Sequence, residues 1–292
     1  LICIEDPCYP VLLRQIPQPP PLLYVRGTLN PTDEWALAVV GTRSPTSYGK
    51  EATRRLVGDL ASAGITIVSG LALGVDAVAH TATLEAGGRT IAVLGCGVDY
   101  LYPERNRPLA EEIMSNGALI SEYPLGTLPT PANFPPRNRL ISGMSCGTLV
   151  VEAGERSGAL ITVSFALEQG RDVFAVPGNI FSRTSAGTNR LIRDGAGLVS
   201  DAKDILEALN WTTATVQQEM QLTLPDDPVE AAVLDLLSYE PQHVDVLGRA
   251  SGLTAPAVSA TLAMLELKGL ARQAGAMQYV RAREARAEYS IQ

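Results

Sequence analysis

One pattern governs what this chain can become: a short apolar run ending in glycine or serine, followed by a helical stretch, repeated along most of its length. ALAVVG (36–41) precedes TRSPTSYG and the helical KEATRRLVGDLASAG. ITIVSG (65–70) precedes LALGVDAVAHTATLEAG, and TIAVLG (90–95) precedes a loop and PLAEEIMSNG. ALISEYP (118–124), GTLVVEAG (147–154), DVFAVPG (172–178) and GLVS (197–200) continue the series. Strands alternating with helices predict an α/β fold: a mostly parallel sheet, right-handed crossovers and helices on both faces. Aromatic residues are only 5% of the chain, so Ala, Val, Leu and Ile must fill the core. Buried parallel strands suit such a composition. In open sheets of this kind, ligands sit at the carboxyl ends of the strands, where these glycines and serines fall.

Residues 1–33 are proline-rich around PQPPPLLYVRG. Pro19, Pro20 and Pro21 oppose helix, and Leu22 to Val25 read as a strand. This stretch is expected to form an arm packed on a core domain, 34–210. Residues 211–228 are polar without a clear period and read as a linker. A compact unit follows over 229–283. It has helical spacing at Val233, Leu234 and Leu237, a second helix from His243 to Ala250 ended by Gly252, and a third from Pro256 to about Lys268, capped by Thr254. A hairpin turning at Ala274–Gly275 completes the outline of a winged helix-turn-helix. Residues 284–292 are left as a tail.

No apolar run approaches the ~18 residues a membrane span needs. The opening LICIEDPCYP carries Glu5 and Asp6 and no basic n-region, unlike a signal peptide. The chain begins without Met, as expected where an N-terminal piece precedes it or has been removed. Cys3, Cys8, Cys96 and Cys146 show no C-x-x-C spacing, and the two histidines are His80 and His243, so no metal site is expected. Scattered free thiols fit a reducing cytoplasm. A net charge of −8 argues against coating duplex DNA by charge alone, yet allows a local basic pocket.

Four segments carry candidate ligand groups. In Val40-Gly41-Thr42-Arg43-Ser44, Gly41 lets a ligand approach the end of a strand, and Arg43 offers a planar fork of donors to a phosphate. The spacing is not G-x-G-x-x-G, and no Walker A motif exists, so no nucleotide cofactor is expected. Ser69 and Gly70 lead small residues that open a helix, whose N–H groups suit an anion. On that helix Asp76 and His80 sit four apart, where a structural hydrogen bond is expected over an acid–base pair. Asn133, Phe134, Arg137, Asn138 and Arg139 read as one loop. Arginines beside an aromatic supply the phosphate contacts and stacking platform that single strands require. The competing reading is ion pairs with Glu122 and Glu152. Asp99, Tyr102, Asn106 and Arg107 share another loop after a strand. Ser157, Gly158 and Thr162 place hydroxyls and N–H groups at a helix start. No G-x-S-x-G nucleophile is present, and no catalytic residue is assigned.

Eight collinear segments carry a resemblance: GTRSPTSYG, SGLALGVDAVAH, GCGVDYLYPERN, SEYPLG, FPPRNRLISG, VVEAGERSGALIT, GRDVFAVPG and GTNRLIRDGA. Together they resemble the DNA-processing protein A family, also called Smf, from about residue 6 to 210. The C-terminal unit resembles the winged-helix module of some relatives. The resemblance implies an extended Rossmann-like domain in a bacterial cytoplasmic protein. It implies a binder of single-stranded DNA that protects incoming DNA in natural transformation and helps load the RecA recombinase. It also implies a homodimer formed through the sheet-bearing domain. The family's phosphate-binding arginine maps onto Arg43 and its stacking aromatic onto Phe134, with Arg137 and Arg139 in the same element. One departure stands out. Relatives often carry a lysine three positions before the aromatic, where this chain has Pro131.

Two other readings compete. An enzyme, a nucleoside monophosphate phosphoribohydrolase of the Lonely-Guy type, would use a P-G-G-x-G-T-x-x-E element. Here Gly147, Thr148 and Glu152 are present, but the P-G-G turn and the glutamate spacing are not. A winged-helix transcription regulator would need a basic recognition helix, and the third helix offers only Lys268.

Overall fold

Along β3 (Ala36–Val40) successive side chains enter opposite cores: Ala36, Ala38 and Val40 on one side, Leu37 and Val39 on the other. All five are at most 4% exposed, so neither face of the strand meets water. The computed structural model that shows this describes residues 1–211, 228–238, 242–267, 271–275 and 277–281. The chain divides into two compact units after Trp211.

The first unit holds a nine-stranded sheet in the order β1-β2-β6-β5-β4-β3-β7-β8-β9. The strands are β1 (Ile2–Cys3), β2 (Leu22–Gly27), β3, β4 (Thr66–Ser69), β5 (Thr90–Val93), β6 (Gly117–Ser121), β7 (Gly147–Val150), β8 (Asp172–Ala175) and β9 (Gly197–Leu198). From β6 to β9 every neighbouring pair is parallel, while β2 runs antiparallel on β6. Helices α1 (Val11–Arg14), α5 (Phe134–Gly143) and α6 (Ala159–Glu168) cover one face through Leu13, Leu140, Ile141 and Val163. Helices α2 (Ser47–Ser62), α3 (Val75–Glu85) and α8 (Ala202–Ala208) cover the other through Leu56, Leu60, Ala79 and Ile205. Helix α4 (Arg107–Ser115) adds Ala110 and Ile113 beside Ala92 and Leu119, and α7 (Ala186–Arg193) follows β8.

The expected arm does more than pack on this sheet, because residues 1–33 supply its edge strands β1 and β2. Tyr9 anchors the arm by donating to the Pro20 carbonyl at 2.7 Å, and burial pushes its phenol up to about 12. Trp211, placed in the linker by its polar neighbours, is instead 2% exposed and packs edge-on against Trp35 at 6.2 Å. The rest of that linker up to 227, and the tail 284–292, lie outside the described residues.

The second unit contains α9 (Pro228–Leu236), β10 (Gln242–His243), α10 (Val244–Ser251), α11 (Ala255–Leu267), β11 (Ala271–Gly275) and β12 (Gln278–Arg281). Val233, Leu247, Val258, Leu262 and Leu265 form its own core. Gly252, at φ 71°, stops α10 in the left-handed conformation that ends many helices. The three helices and a β10-β12-β11 sheet are a winged helix. The hairpin turns later than expected, since Gly275 still pairs with Gln278. Among the described residues no helix is long and apolar enough to cross a membrane.

Candidate functional site

The strand order reverses between β3 and β7, so the loops leaving their carboxyl ends part and open a crevice. Its volume is about 450 Å³. Gly41, Thr42 and Arg43 form one wall, Ser157, Gly158 and Thr162 another, and Ala72 and Asp76 come from the segment after β4. Helix α5 closes the crevice with Phe134, Pro135, Arg137, Asn138 and Ile141.

The segment from Phe134 is therefore a helix, not the loop its prolines suggested. Pro135 and Pro136 stand in its first turn, where a missing N–H costs no intrahelical bond. Helical spacing then sorts the side chains. Residues 134, 137, 138 and 141 share the crevice face, whereas Arg139 turns away. Arg139 pairs with Glu122 and donates to the Gln18 carbonyl at 2.8 Å, so it fastens the arm to the sheet. Asn133 lies outside the crevice lining, and its carbonyl accepts from the Tyr123 hydroxyl at 3.4 Å.

Arg137 forms the floor. It is 6% exposed and donates to the carbonyls of Gly70, at 2.9 Å, and Val93. Burial holds its guanidinium down to about 10, with Asp76 opposing that shift, so it stays charged at neutral pH. Burial pushes the Asp76 carboxyl up, against the pull of Arg137 and of the Gly70 and Ala72 amides that donate to it. His80 bonds Thr90 at 2.7 Å, so the Asp76–His80 hydrogen bond expected from their spacing is not what holds either group. Burial depresses the His80 imidazole to about 3, leaving it neutral.

Ser69 and Gly70 are structural rather than ligand-facing. The Ser69 hydroxyl donates to the buried Val39 carbonyl at 2.7 Å. A Cβ on Gly70 would lie 2.7 Å from the Arg137 guanidinium. At Gly41 a Cβ would meet Val75 at 2.5 Å, so this glycine lets β3 and α3 approach each other as well as lining the crevice.

Arg43 differs from Arg107, Arg137 and Arg139. It is exposed, and among the described residues it makes no ion pair. At the outer end of the α5 face, Phe134 stacks on Tyr102 with centroids 5.8 Å apart and an interplanar angle of 26°. The Arg137 guanidinium lies 5.9 Å from the Phe134 ring. Tyr102 is 47% exposed, so the stack reaches solvent. In the sequence it is signalled by its place in a loop after β5 and by the family segment GCGVDYLYPERN that contains it. The other members of that loop group are structural: Asn106 holds the Leu71 and Ala72 carbonyls, Asp99 accepts from the Gly126 amide, and Arg107 pairs with Glu104.

Glu152 is absent from this lining. It is 2% exposed and accepts from the Thr46 amide (2.8 Å), the Thr46 hydroxyl (2.6 Å) and the Thr184 hydroxyl (3.1 Å). Its carboxylate thus ties three loops together.

A doubly wound sheet with a cationic, aromatic-flanked crevice at its switch point defines a Rossmann-like ligand-binding protein, here joined to a winged helix. Residues 1–210 match the DNA recombination-mediator protein A family, and residues 217–277 match its winged helix domain. The chain belongs to that family. Protein Smf of Synechocystis sp. is 38% identical, over 95% of this chain and 79% of its own. The X-ray structure of DNA processing protein A from Streptococcus pneumoniae is 42% identical, with a TM-score of 0.67 over 70% of this chain and 72% of its own. A Helicobacter pylori DNA processing protein A, solved for its single-stranded DNA binding mode, is 31% identical with a TM-score of 0.63, over 70% of this chain and 94% of its own.

Proposed function

We propose that this member of the recombination-mediator family binds single-stranded DNA in the switch-point crevice and performs no catalysis there. The observation that carries this reading is the pairing of an exposed, unpaired Arg43 with the solvent-reaching Tyr102–Phe134 stack. A phosphate donor beside an aromatic face is what an unpaired nucleotide demands. A crevice of about 450 Å³ suits a nucleotide-sized group rather than a duplex. The relative from Helicobacter pylori supports the same ligand. With Pro131 in place of the family's lysine, Arg139 spent on Glu122 and Arg137 buried, phosphate contact falls chiefly to Arg43.

Family membership supports a wider role. The protein acts in the cytoplasm as a homodimer joined through its sheet-bearing domain. It protects incoming DNA during natural transformation and helps load RecA onto it. The winged helix is a weak candidate for duplex reading, because Ala255–Leu267 contains no Lys or Arg, and Lys268, the cation offered by the sequence, lies outside the described residues. Against the phosphoribohydrolase reading, Glu152 is committed to Thr46 and Thr184.

Titration with labelled single-stranded DNA, duplex DNA and a nucleoside monophosphate tests this. The single strand is expected to bind at least about tenfold tighter than the duplex, and the monophosphate to be left intact. Free base released from the monophosphate, or preference for duplex, would overturn the proposal.

A further inference from the structure

The loop after β8 presents a feature that the crevice does not use. Phe181 is 89% exposed and Ile180 is 80% exposed, although the loop beneath them is firmly tied. The Gly178 amide donates to Asn189 at 3.1 Å, and Asn189 returns a bond to the Gly178 carbonyl at 3.0 Å. The Phe181 amide donates to Asn179 at 2.9 Å, and Ser182 bonds Thr184 at 2.9 Å. The ring is thus held outward by an ordered backbone, and it contributes nothing to either core. Two residues on, Arg183 is exposed and, among the described residues, makes no ion pair. The same is true of Arg156, on the loop after β7.

This loop is continuous with the crevice wall. Thr184 donates to Glu152, whose carbonyl accepts from the Thr42 amide at 2.8 Å. Gly154 lies against the Arg183 carbonyl, where a Cβ would be 3.3 Å away. Between the loops after β3 and β8 lies a second hollow of about 340 Å³, lined by Thr46, Tyr48, Glu152, Asn179, Ser182 and Ser185. The Thr46 and Tyr48 hydroxyls are taken up by Glu152 and the Pro177 carbonyl, which leaves the Asn179 amide nitrogen and the Ser185 hydroxyl to donate to sugar and phosphate oxygens.

We propose that a single strand held in the crevice continues over this hollow to a second subsite, where a base stacks on Phe181 and Arg183 and Arg156 meet the backbone phosphates. The proposal rests on single-strand binding at the crevice. An exposed ring, with two guanidiniums that make no ion pair among the described residues, on loops that join the crevice wall, favours this occupant over a second copy of the chain.

Oligonucleotides of two lengths separate the two sites, one of about 5 nucleotides for the crevice alone and one of about 16 for both. Phe181→Ala is expected to weaken the long strand about fivefold or more and leave the short one unchanged, while Phe181→Trp retains tight binding. Arg43→Ala weakens both. Unchanged affinity of Phe181→Ala for the long strand, or equal weakening of both strands, would overturn the second subsite while leaving the crevice intact. Loss of dimer mass by Phe181→Ala with DNA binding unaltered would assign the loop to a copy of the chain and likewise overturn it. A wild-type protein that binds neither strand would remove both sites.

Discussion

Arg137→Ala is expected to destabilise the sheet-bearing unit by about 3–5 kcal/mol, the cost typical of leaving a buried charge without its partner. The guanidinium supplies buried donors to the Gly70 and Val93 carbonyls, and it is the cation that favours ionised Asp76. Alanine leaves those carbonyls short of a donor and the carboxylate without that charge, at the crevice floor where Arg137 and Asp76 are only 6% and 7% exposed. Lysine should recover little, since an ammonium lacks the planar fork. Urea unfolding of the wild type and both variants measures the loss. A change below about 1 kcal/mol would show that the guanidinium is solvated and free to meet a ligand. The consequence for function is direct: weaker DNA binding by Arg137→Ala reports a damaged floor, not necessarily a lost phosphate contact.

Phe134→Ala should weaken single-strand binding by about 1–3 kcal/mol, the range for a base stacked on an aromatic ring. The salt dependence should hardly change, because no charge is removed. The ring also packs on Tyr102 and above Gly95, where a Cβ would come within 2.8 Å of it. Phe134→Leu is the matching control, since it keeps apolar volume and removes the π face. If both variants melt like the wild type and bind equally well, the ring serves packing alone.

How much of this was legible in the sequence depended on which physical signal carried it. The central strands announced themselves because residues such as 36–40 are apolar on both faces, a pattern with few alternatives in a chain of this length. Helix α5 did not, because Pro135 and Pro136 look like breakers unless they fall in the first turn. The prolines thereby mask the phase that sends Arg137 inward and Arg139 toward Glu122. Had the helix start been recognised, the 134, 137, 138, 141 face would have followed from spacing alone. Ser69 and Gly70 followed a strand as ligand groups do, yet only tertiary packing shows that Val39 and Arg137 take up their capacity. The Tyr102–Phe134 stack joins residues 32 positions apart in sequence, and a single chain carries no sign of such pairing.

The central claim is that a single strand is held by an exposed phosphate contact at the switch point. The most direct test compares wild type and Arg43→Ala in titrations of a labelled single strand over a salt series. A phosphate contact on a single strand contributes about 0.7 to the slope of log affinity against log salt concentration. The account predicts weaker binding by Arg43→Ala at low salt and a slope shallower by about 0.7, with the melting temperature unchanged because Arg43 is exposed and, among the described residues, its side chain bonds no buried group. An Arg43→Ala protein with the wild-type affinity and slope would contradict it.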